Sequence, residues 1–201
     1  MQFKLSTLFF ITLAGAAIAL FVASQTNRGM IDIDTTGRLQ AEQPQLMFGK
    51  RIEKTFKAPI IRIIDADTVE LLLEDKTTPN CRLESIDAPE TGSKNISGQP
   101  FGDKATEALK RLTNGKQIVI HQTGIDGFKR PLVFIEADGI NVNAELIRQG
   151  YAWAYTEYND DAELARLELE AKQANRGLWA DPEPMAPWAW RKQQREKRKS
   201  E

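Results

Sequence analysis

The sequence has little cysteine and little histidine. Its 201 residues include one cysteine, Cys81, and one histidine, His121. A single cysteine excludes an internal disulfide, and the two residues together are too few for a Cys/His zinc site. A lone histidine also argues against mechanisms in which a histidine base activates a serine or cysteine nucleophile. Any metal ion in this protein must therefore be held by oxygen atoms.

The chain also lacks an excess of charge of either sign. It has 27 Lys and Arg against 28 Asp and Glu, a formal net charge of −1, with 41% hydrophobic and 27% charged residues. This composition is typical of a globular protein and excludes collagen and wholesale disorder. It argues against coating of nucleic acid by bulk attraction, although a local cluster of arginines can still bind phosphate.

Charged residues are missing from the first part of the chain, between Leu5 and Asn27. The apolar run suits an export signal and is barely long enough to span a bilayer, which takes about 20 residues. Residues 1–27 are therefore predicted to be a signal peptide or an N-terminal membrane anchor, and both alternatives stay open. The positive charge of Lys4 favours keeping the N-terminus on the cytoplasmic side, so the rest of the chain is expected outside the cytoplasm. It would then be secreted, periplasmic, or held at the membrane through residues 5–24.

Composition divides the rest of the chain into three parts. Residues 28–57 are polar and without periodicity, which predicts a linker; residues 51–57 could instead form an extra edge strand. Residues 58–181 carry strand and helix patterns and are predicted to be one domain. Residues 182–201 contain Trp188 and Trp190 followed by six Lys or Arg. They predict a basic C-terminal tail, either simply solvated or attracted to nucleic acid or anionic lipid.

The central domain is predicted to contain five short strands and three helices. The strand patterns lie in residues 59–64, 68–74, 80–86, 116–121 and 130–137. Apolar spacing predicts helices over residues 101–112 and 160–176, with a shorter one between Asn141 and Gly150. This order predicts an α+β fold built on a five-stranded OB-type barrel, an architecture that commonly binds oligonucleotides. Cys81 is expected to be a buried small hydrophobe, and His121 to face solvent or a partner.

Two carboxylates are predicted to meet at one edge of this sheet. Asp67 begins the second strand and Asp87 ends the third, and in a meander these two positions lie at the same edge. Ionised carboxylates repel one another unless a cation lies between them, and Ca²⁺ takes about 6 to 8 oxygen ligands. The sequence therefore predicts a Ca²⁺ site, with the carbonyl of Ala88, held by the rigid Pro89, as a further ligand.

Candidate groups for phosphate chemistry accompany these carboxylates. The guanidiniums of Arg82 and Arg130 match phosphate oxygens bidentately, and Glu90 is spaced so that it can face a water. Hydrolysis of a phosphodiester needs an oriented nucleophile, a cation and fixed positive charge. Taken singly, each residue also has a structural explanation: turn formation for the acidic residues, or pairing of Arg82 with Glu70 or Glu84.

With these motifs in place, the sequence resembles the thermonuclease, or staphylococcal nuclease-like, family. The resemblance rests on IIDADTVEL, RLESIDAPET, FGDKATEAL, DGFKRPLVFI followed by ADGINVNAELIRQG, and EAKQANRGLW. These motifs cover residues 59–179, and their order and spacing are more specific than any one of them.

The resemblance implies a Ca²⁺-dependent endonuclease that hydrolyses DNA or RNA to 3′-phosphates and 5′-hydroxyls. It implies that Arg82 and Arg130 hold the scissile phosphate and that Glu90 orients or deprotonates the attacking water. The implied metal ligands are Asp67, Asp87 and the backbone carbonyl of Ala88, with Asp65 acting through water. The candidate substrate-stacking residues are Phe128, Tyr155 and Tyr158, of which Tyr158 has the weaker match. The two tyrosines could equally be partly buried hydrophobic residues with solvated hydroxyls.

The third motif departs from the family pattern. Lys129 and Pro131 flank Arg130 and change how that arginine is aimed, and Phe128 keeps an aromatic face without a hydroxyl. A second hypothesis is a noncatalytic OB-fold module that binds nucleic acid or protein. Such a module needs neither a second carboxylate nor Glu90 nor paired arginines, so the sequence favours hydrolysis.

Overall fold

The computed structural model describes residues 44–92, 98–155 and 161–200. These residues belong to one compact unit, Pro44–Glu201. The predicted signal or anchor at residues 1–27 and the candidate Tyr158 lie outside the described residues. Within the described ranges, no helix is both long enough and apolar enough to cross a membrane.

Eleven short strands and four α-helices are found in the described part of the chain. The strands are β1 (Leu46–Met47), β2 (Lys50–Arg51), β3 (Lys54–Lys57), β4 (Ile60–Asp65), β5 (Thr68–Leu71), β6 (Asn80–Leu83), β7 (Ile86–Asp87), β8 (Ile118–Ile125), β9 (Pro131–Ala137), β10 (Ile140–Asn141) and β11 (Trp153–Ala154). The helices are α1 (Gly102–Thr113), α2 (Val142–Arg148), α3 (Ala162–Gln173) and α4 (Pro187–Ser200), with a 3-10 helix at Gly177–Ala180.

The main sheet has the strand order β3-β8-β9-β6-β5-β4, with β10 added to β9. Strands β4, β5 and β6 form the predicted antiparallel meander, and β6 then joins β9 in parallel, with Arg82 opposite Leu132. All five predicted strands are present, and the predicted α+β class is confirmed. The third strand is shorter than predicted: it ends at Leu83, and Asp87 lies on the separate strand β7, which pairs with β11. Among the described residues, the two end strands of this sheet, β3 and β4, do not pair with each other. Closure of the sheet into an OB-type barrel therefore stays a prediction.

Strand β3 lies in the range where the sequence predicts a linker. The alternative for residues 51–57, an edge strand, is what the structure shows, because Lys54–Lys57 pairs with β8. This strand covers His121, whose Nδ1 lies 3.1 Å from Thr55 Oγ1 and whose Nε2 lies 3.4 Å from Glu136 Oε2. His121 is buried. The expectation that it faces solvent or a partner is therefore wrong.

The three predicted helices are confirmed as α1, α2 and α3. Asn141 caps α2 by accepting a hydrogen bond from the Ala144 N–H at 2.9 Å, and Asp161 caps α3 in the same way through Glu163 and Leu164. The count of three is too low, because the range predicted as a basic tail contains a fourth helix, α4. Its first turn contacts the domain, as described below.

The core lies between the main sheet and helices α1 and α2. Its largest fully buried side chains include Leu71, Leu83, Leu109, Ile120, Ile135, Leu146 and Ile147. Cys81 is buried among them, as predicted, and burial raises the pKa of its thiol to about 11. Asn143 is the buried polar residue that joins α2 to the sheet: its amide donates to the carbonyls of Glu84 and Val133 and its oxygen accepts from Ile135 N–H. The core thereby fixes the strand ends that carry the candidate site.

Candidate active site

Asp67 and Asp87 meet at a single guanidinium, the first through the meander and the second through β7, which pairs with β11. Asp67 precedes β5 and Asp87 ends β7, and their exposed fractions are only 2% and 0%. Between them lies Arg82 on β6, whose Nη1 donates to Asp67 Oδ1 and whose Nη2 donates to Asp87 Oδ1 at 2.6 Å. The alternative pairing of Arg82 with Glu70 is not found, because Glu70 pairs with Arg62 at 2.7 Å. The three side chains make one buried ionic network.

Asp67 is held by several donors besides Arg82. Thr68 Oγ1 donates to its Oδ1 at 3.0 Å, and the Ala88 N–H donates to its Oδ2 at 2.8 Å. Burial opposes ionisation, but Arg82 and these hydrogen bonds outweigh it and hold the pKa of Asp67 below its ordinary value. Burial and the neighbouring charge of Asp67 raise the pKa of Asp65 to about 8. Of the two, Asp67 is the residue whose charged form the surroundings favour.

Glu90 lies next to Asp87 but in a more open position, with its side chain 33% exposed. Its carbonyl accepts a hydrogen bond from Gln99 N–H at 2.9 Å. The start of α1 approaches it so closely that a Cβ on Gly102 would lie 2.2 Å from the Glu90 carbonyl oxygen. This glycine, in the FGDKATEAL motif, lets α1 support the Glu90 backbone.

A second arginine, Arg191 on α4, reaches the same carboxylates. Its Nη1 and Nη2 donate to Asp87 Oδ1 at 3.1 Å and Oδ2 at 2.7 Å, and Nη1 also donates to Glu90 Oε1 at 2.7 Å. Burial opposes its charge, but the hydrogen bonds that it donates to Asp87 and Glu90 raise the pKa of Arg191 above its ordinary value. Arg191 is not among the site residues predicted from the sequence, since it lies 104 positions from Asp87 and no local motif marks it.

Arg130 is held by a different carboxylate. Its Nε and Nη2 donate to Asp126 Oδ2, each at 2.8 Å. Asp126 Oδ1 also accepts the backbone N–H groups of Phe128 at 2.9 Å and Arg130 at 2.8 Å, which fixes the turn before β9. Among the described residues, no recorded contact joins Arg130 to the Asp67–Arg82–Asp87 network. Arg130 nevertheless lies nearby in the sheet. It comes two residues before Leu132, which pairs with Arg82 on the neighbouring strand.

Of the three predicted stacking residues, the structure describes Phe128 and Tyr155. Phe128 is 83% exposed, and the Arg130 guanidinium lies 5.6 Å from its ring centroid. Tyr155 follows β11, in which Trp153 pairs with Asp87. The Tyr155 N–H donates to the Ser85 carbonyl at 3.0 Å. Its ring centroid lies 5.7 Å from that of Trp188 on α4. Tyr155 therefore lies at the edge of the ionic network, while Tyr158 is outside the described residues.

A family model described as "Staphylococcal nuclease homologue" matches residues 80–181, about half of the chain. An uncharacterized endonuclease of Escherichia coli O157:H7 is 38% identical over 133 residues, which cover 66% of this chain and 82% of the relative. The chain belongs to the staphylococcal nuclease homologue family. The predicted resemblance is thereby confirmed.

Two further relatives in this family bear on the site. A micrococcal nuclease of Shigella flexneri is 34% identical over 148 residues, covering 68% of this chain and 81% of the relative. A probable staphylococcal-like nuclease, CAN1, of Oryza sativa subsp. japonica is 38% identical over 114 residues, covering 57% of this chain and 33% of the relative. The matched family region includes Arg82, Asp87, Glu90 and Arg130 but not α4.

A staphylococcal nuclease-like site implies a divalent cation, and the residues present fit one. The available donors are carboxylate and carbonyl oxygens, which hard cations prefer. With Arg191 set aside, Asp67, Asp87 and Glu90 bear three formal negative charges against one positive charge on Arg82, which a divalent cation would balance. Within residues 44–92, 98–155 and 161–200, no three His, Cys, Asp or Glu side chains are grouped as metal ligands. Water or phosphate oxygens would therefore have to complete the coordination of about 6 to 8.

Proposed function

We propose that this protein is a Ca²⁺-dependent endonuclease that hydrolyses phosphodiester bonds of DNA or RNA. One observation supports this most strongly: Arg82 joins two buried carboxylates, Asp67 and Asp87, immediately beside the partly exposed Glu90. Burying charged groups is costly, and a network of this kind is found where a site needs fixed charge. Membership of the staphylococcal nuclease homologue family and the nuclease names of the relatives support the same conclusion.

Each residue has a role in the proposed reaction. Asp67, Asp87 and the Ala88 carbonyl would hold Ca²⁺, and Asp65 would act on it through water. When bound, the cation polarises a phosphoryl oxygen and offsets negative charge that develops in the transition state. The guanidiniums of Arg82 and Arg130 hold the non-bridging oxygens of the phosphate.

Glu90 Oε holds the attacking water and accepts its proton as the water oxygen bonds to phosphorus. The bond from phosphorus to O5′ breaks, and the departing oxygen takes a proton from solvent. The products are a 3′-phosphate and a 5′-hydroxyl. Phe128, Tyr155 and Tyr158 provide aromatic faces on which flanking bases stack, an interaction that tolerates any base.

The proposal is tested by incubating the full chain with end-labelled DNA and RNA, in Ca²⁺ or in excess chelator. We expect cleavage only with Ca²⁺, and fragments whose 5′ ends accept phosphate from a polynucleotide kinase without prior phosphatase treatment. Binding without cleavage in Ca²⁺ would instead identify a noncatalytic OB-fold module. Cleavage that persists in excess chelator would contradict the Ca²⁺ site.

We also propose that the protein acts outside the cytoplasm, secreted, periplasmic or anchored through residues 5–24. The support is the uncharged run between Leu5 and Asn27. Fractionation and N-terminal sequencing of the protein from its host test this: a mature N-terminus near residue 24 indicates cleavage, and an intact one in membranes indicates an anchor. Recovery of the intact chain in the cytoplasm would contradict the proposal.

A further inference from the structure

Helix α4 places a positive charge where the proposed function needs a cation. The Arg191 guanidinium contacts both carboxylate oxygens of Asp87, at 3.1 and 2.7 Å, and one oxygen of Glu90 at 2.7 Å. Arg191 therefore contacts both oxygens of the Asp87 carboxylate, and Oδ1 accepts a further hydrogen bond from Arg82. A metal ion and Arg191 would therefore compete for Asp87, and a water and Arg191 would compete for Glu90.

The same helix covers a predicted substrate contact. Trp188, three residues before Arg191, lies with its ring centroid 5.5 Å from Trp153 and 5.7 Å from Tyr155. A nucleic-acid base stacking on Tyr155 would meet Trp188 on that face of the site. The first two turns of α4 thus lie over both a proposed metal ligand and a proposed base platform.

The contacts that hold α4 are confined to its N-terminal end. Pro187 is buried and Gln99 Nε2 donates to the Met185 carbonyl at 2.5 Å, whereas most residues after Arg191 are exposed. A cavity of about 150 Å³ lies under this end, lined by residues that include Pro89, Phe101, Trp153, Met185 and Trp190. Because most of the helix after Arg191 buries nothing against the domain, α4 is held less firmly than a core element.

We propose that α4 is an autoinhibitory helix in which Arg191 occupies the place of the divalent cation and must leave before Ca²⁺ binds. The charge count is consistent with this exchange. Without Arg191, the formal charge of Asp67, Asp87, Glu90 and Arg82 is −2, which one Ca²⁺ balances. The inference rests on the proposed function, because it assumes that Asp87 is a calcium ligand.

The apparent Ca²⁺ affinity of such a protein is its intrinsic affinity multiplied by the fraction in which α4 is displaced. If α4 is docked in about nine molecules of ten, removing its contact strengthens Ca²⁺ binding about tenfold. The experiment measures the dissociation constant for Ca²⁺ by isothermal titration calorimetry on the full chain. It compares the wild type with Arg191→Ala and Arg191→Gln, and with Arg195→Ala, an exposed arginine one turn further along α4, as the matched control.

We expect both Arg191 variants to bind Ca²⁺ about tenfold more tightly than wild type, and the Arg195 variant to bind as wild type does. Hydrogen exchange of the wild type should also show α4 amides exchanging faster at saturating Ca²⁺, a readout that needs no variant to fold. Equal or weaker Ca²⁺ binding by the Arg191 variants, or unchanged exchange in α4, would overturn the inference.

Failure of the proposed function gives a different pattern. If neither the wild type nor any variant binds Ca²⁺, the proposals of a calcium site and of autoinhibition are both wrong. If all bind Ca²⁺ equally and the wild type cleaves nucleic acid, only the autoinhibition is wrong. A loss of cleavage by Arg191→Ala at saturating Ca²⁺ would likewise overturn it, since Arg191 would then assist the reaction.

Discussion

At the scale of single residues, Arg82 determines how the site is assembled. The sequence predicts it as a phosphate-binding arginine, with pairing to Glu70 or Glu84 as the alternative. The structure shows that its partners are Asp67 and Asp87, which lie 15 positions before it and 5 after it in the chain. The meander made the meeting of Asp67 and Arg82 predictable, because it returns the third strand to the start of the second. Asp87 reaches the same guanidinium from β7, which pairs with β11 outside the meander. The counter-charge on Asp87 from Arg191 could not be predicted, since it depends on where α4 packs.

Replacing Arg82 with lysine should weaken both the site and the fold. An ammonium is a point charge and cannot donate in parallel to two carboxylates as the guanidinium does. We expect cleavage to fall about a hundredfold and the free energy of unfolding to fall by about 1–3 kcal/mol, because a buried acceptor loses its partner. Denaturant unfolding and initial rates at saturating Ca²⁺ measure these effects.

The control is Arg62→Lys, since Arg62 is 60% exposed and pairs with Glu70 on the adjoining strand. Its stability should change by less than about 0.5 kcal/mol, and its rate should be unaffected. Equal behaviour of the two variants would show that Arg82 has no special role.

The Cys81 thiol should make stability depend on pH in the alkaline range. Its pKa rises from 9.0 to about 11 on burial, so the unfolded chain loses the thiol proton first. The contribution is fully present below pH 9 and is lost as pH rises toward 11, with about 1 kcal/mol gone at pH 10. Urea unfolding of the wild type and Cys81→Ala at pH 8 and pH 10 measures it. The stability difference between the two proteins should shrink at pH 10, and a constant difference would contradict the assignment.

At the scale of elements, the sequence predicts best where the signal is local. Asn141 and Gly150 mark the beginning and end of α2, and apolar periodicity marks α1 and α3, because caps and amphipathic spacing act within one helix. The segment that forms β3 has no such pattern, and its strand forms only because β8 offers an edge. Helix α4 is almost entirely polar after its first turn, so composition alone indicates a tail.

The contact between α1 and Glu90 should not tolerate a larger residue. A Cβ at Gly102 would lie 2.2 Å from the Glu90 carbonyl oxygen, which is backbone and cannot rotate away. We expect Gly102→Ala to shift Glu90, to lower the cleavage rate at saturating Ca²⁺ at least tenfold, and to cost about 1–3 kcal/mol of stability.

Gly124→Ala serves as the comparison, because a Cβ at Gly124 meets nothing within 4 Å. That variant should keep its cleavage rate and change stability by no more than about 0.5 kcal/mol. If Gly102→Ala is as active as Gly124→Ala, the start of α1 does not position Glu90.

At the scale of the whole molecule, the balance of charge links folding to metal binding. A ligand that binds only the folded state stabilises it, by about 2.7 kcal/mol at a concentration one hundred times its dissociation constant. Thermal unfolding of the full chain should therefore shift upward in Ca²⁺ relative to chelator. Asp87→Asn should lose this shift, while Asp103→Asn, an exposed carboxylate in the first turn of α1, should retain it. A shift that survives in Asp87→Asn would place Ca²⁺ elsewhere.

The central claim is that Glu90, beside the Arg82-bridged carboxylates, acts on the water that cleaves nucleic acid. The most direct measurement is the initial rate of cleavage of one labelled oligonucleotide at saturating Ca²⁺ by wild type, Glu90→Gln and Glu107→Gln, the last being an exposed residue of α1. We predict that Glu90→Gln loses at least about a hundredfold in rate, while Glu107→Gln matches wild type. Cleavage by Glu90→Gln at the wild-type rate would contradict the account.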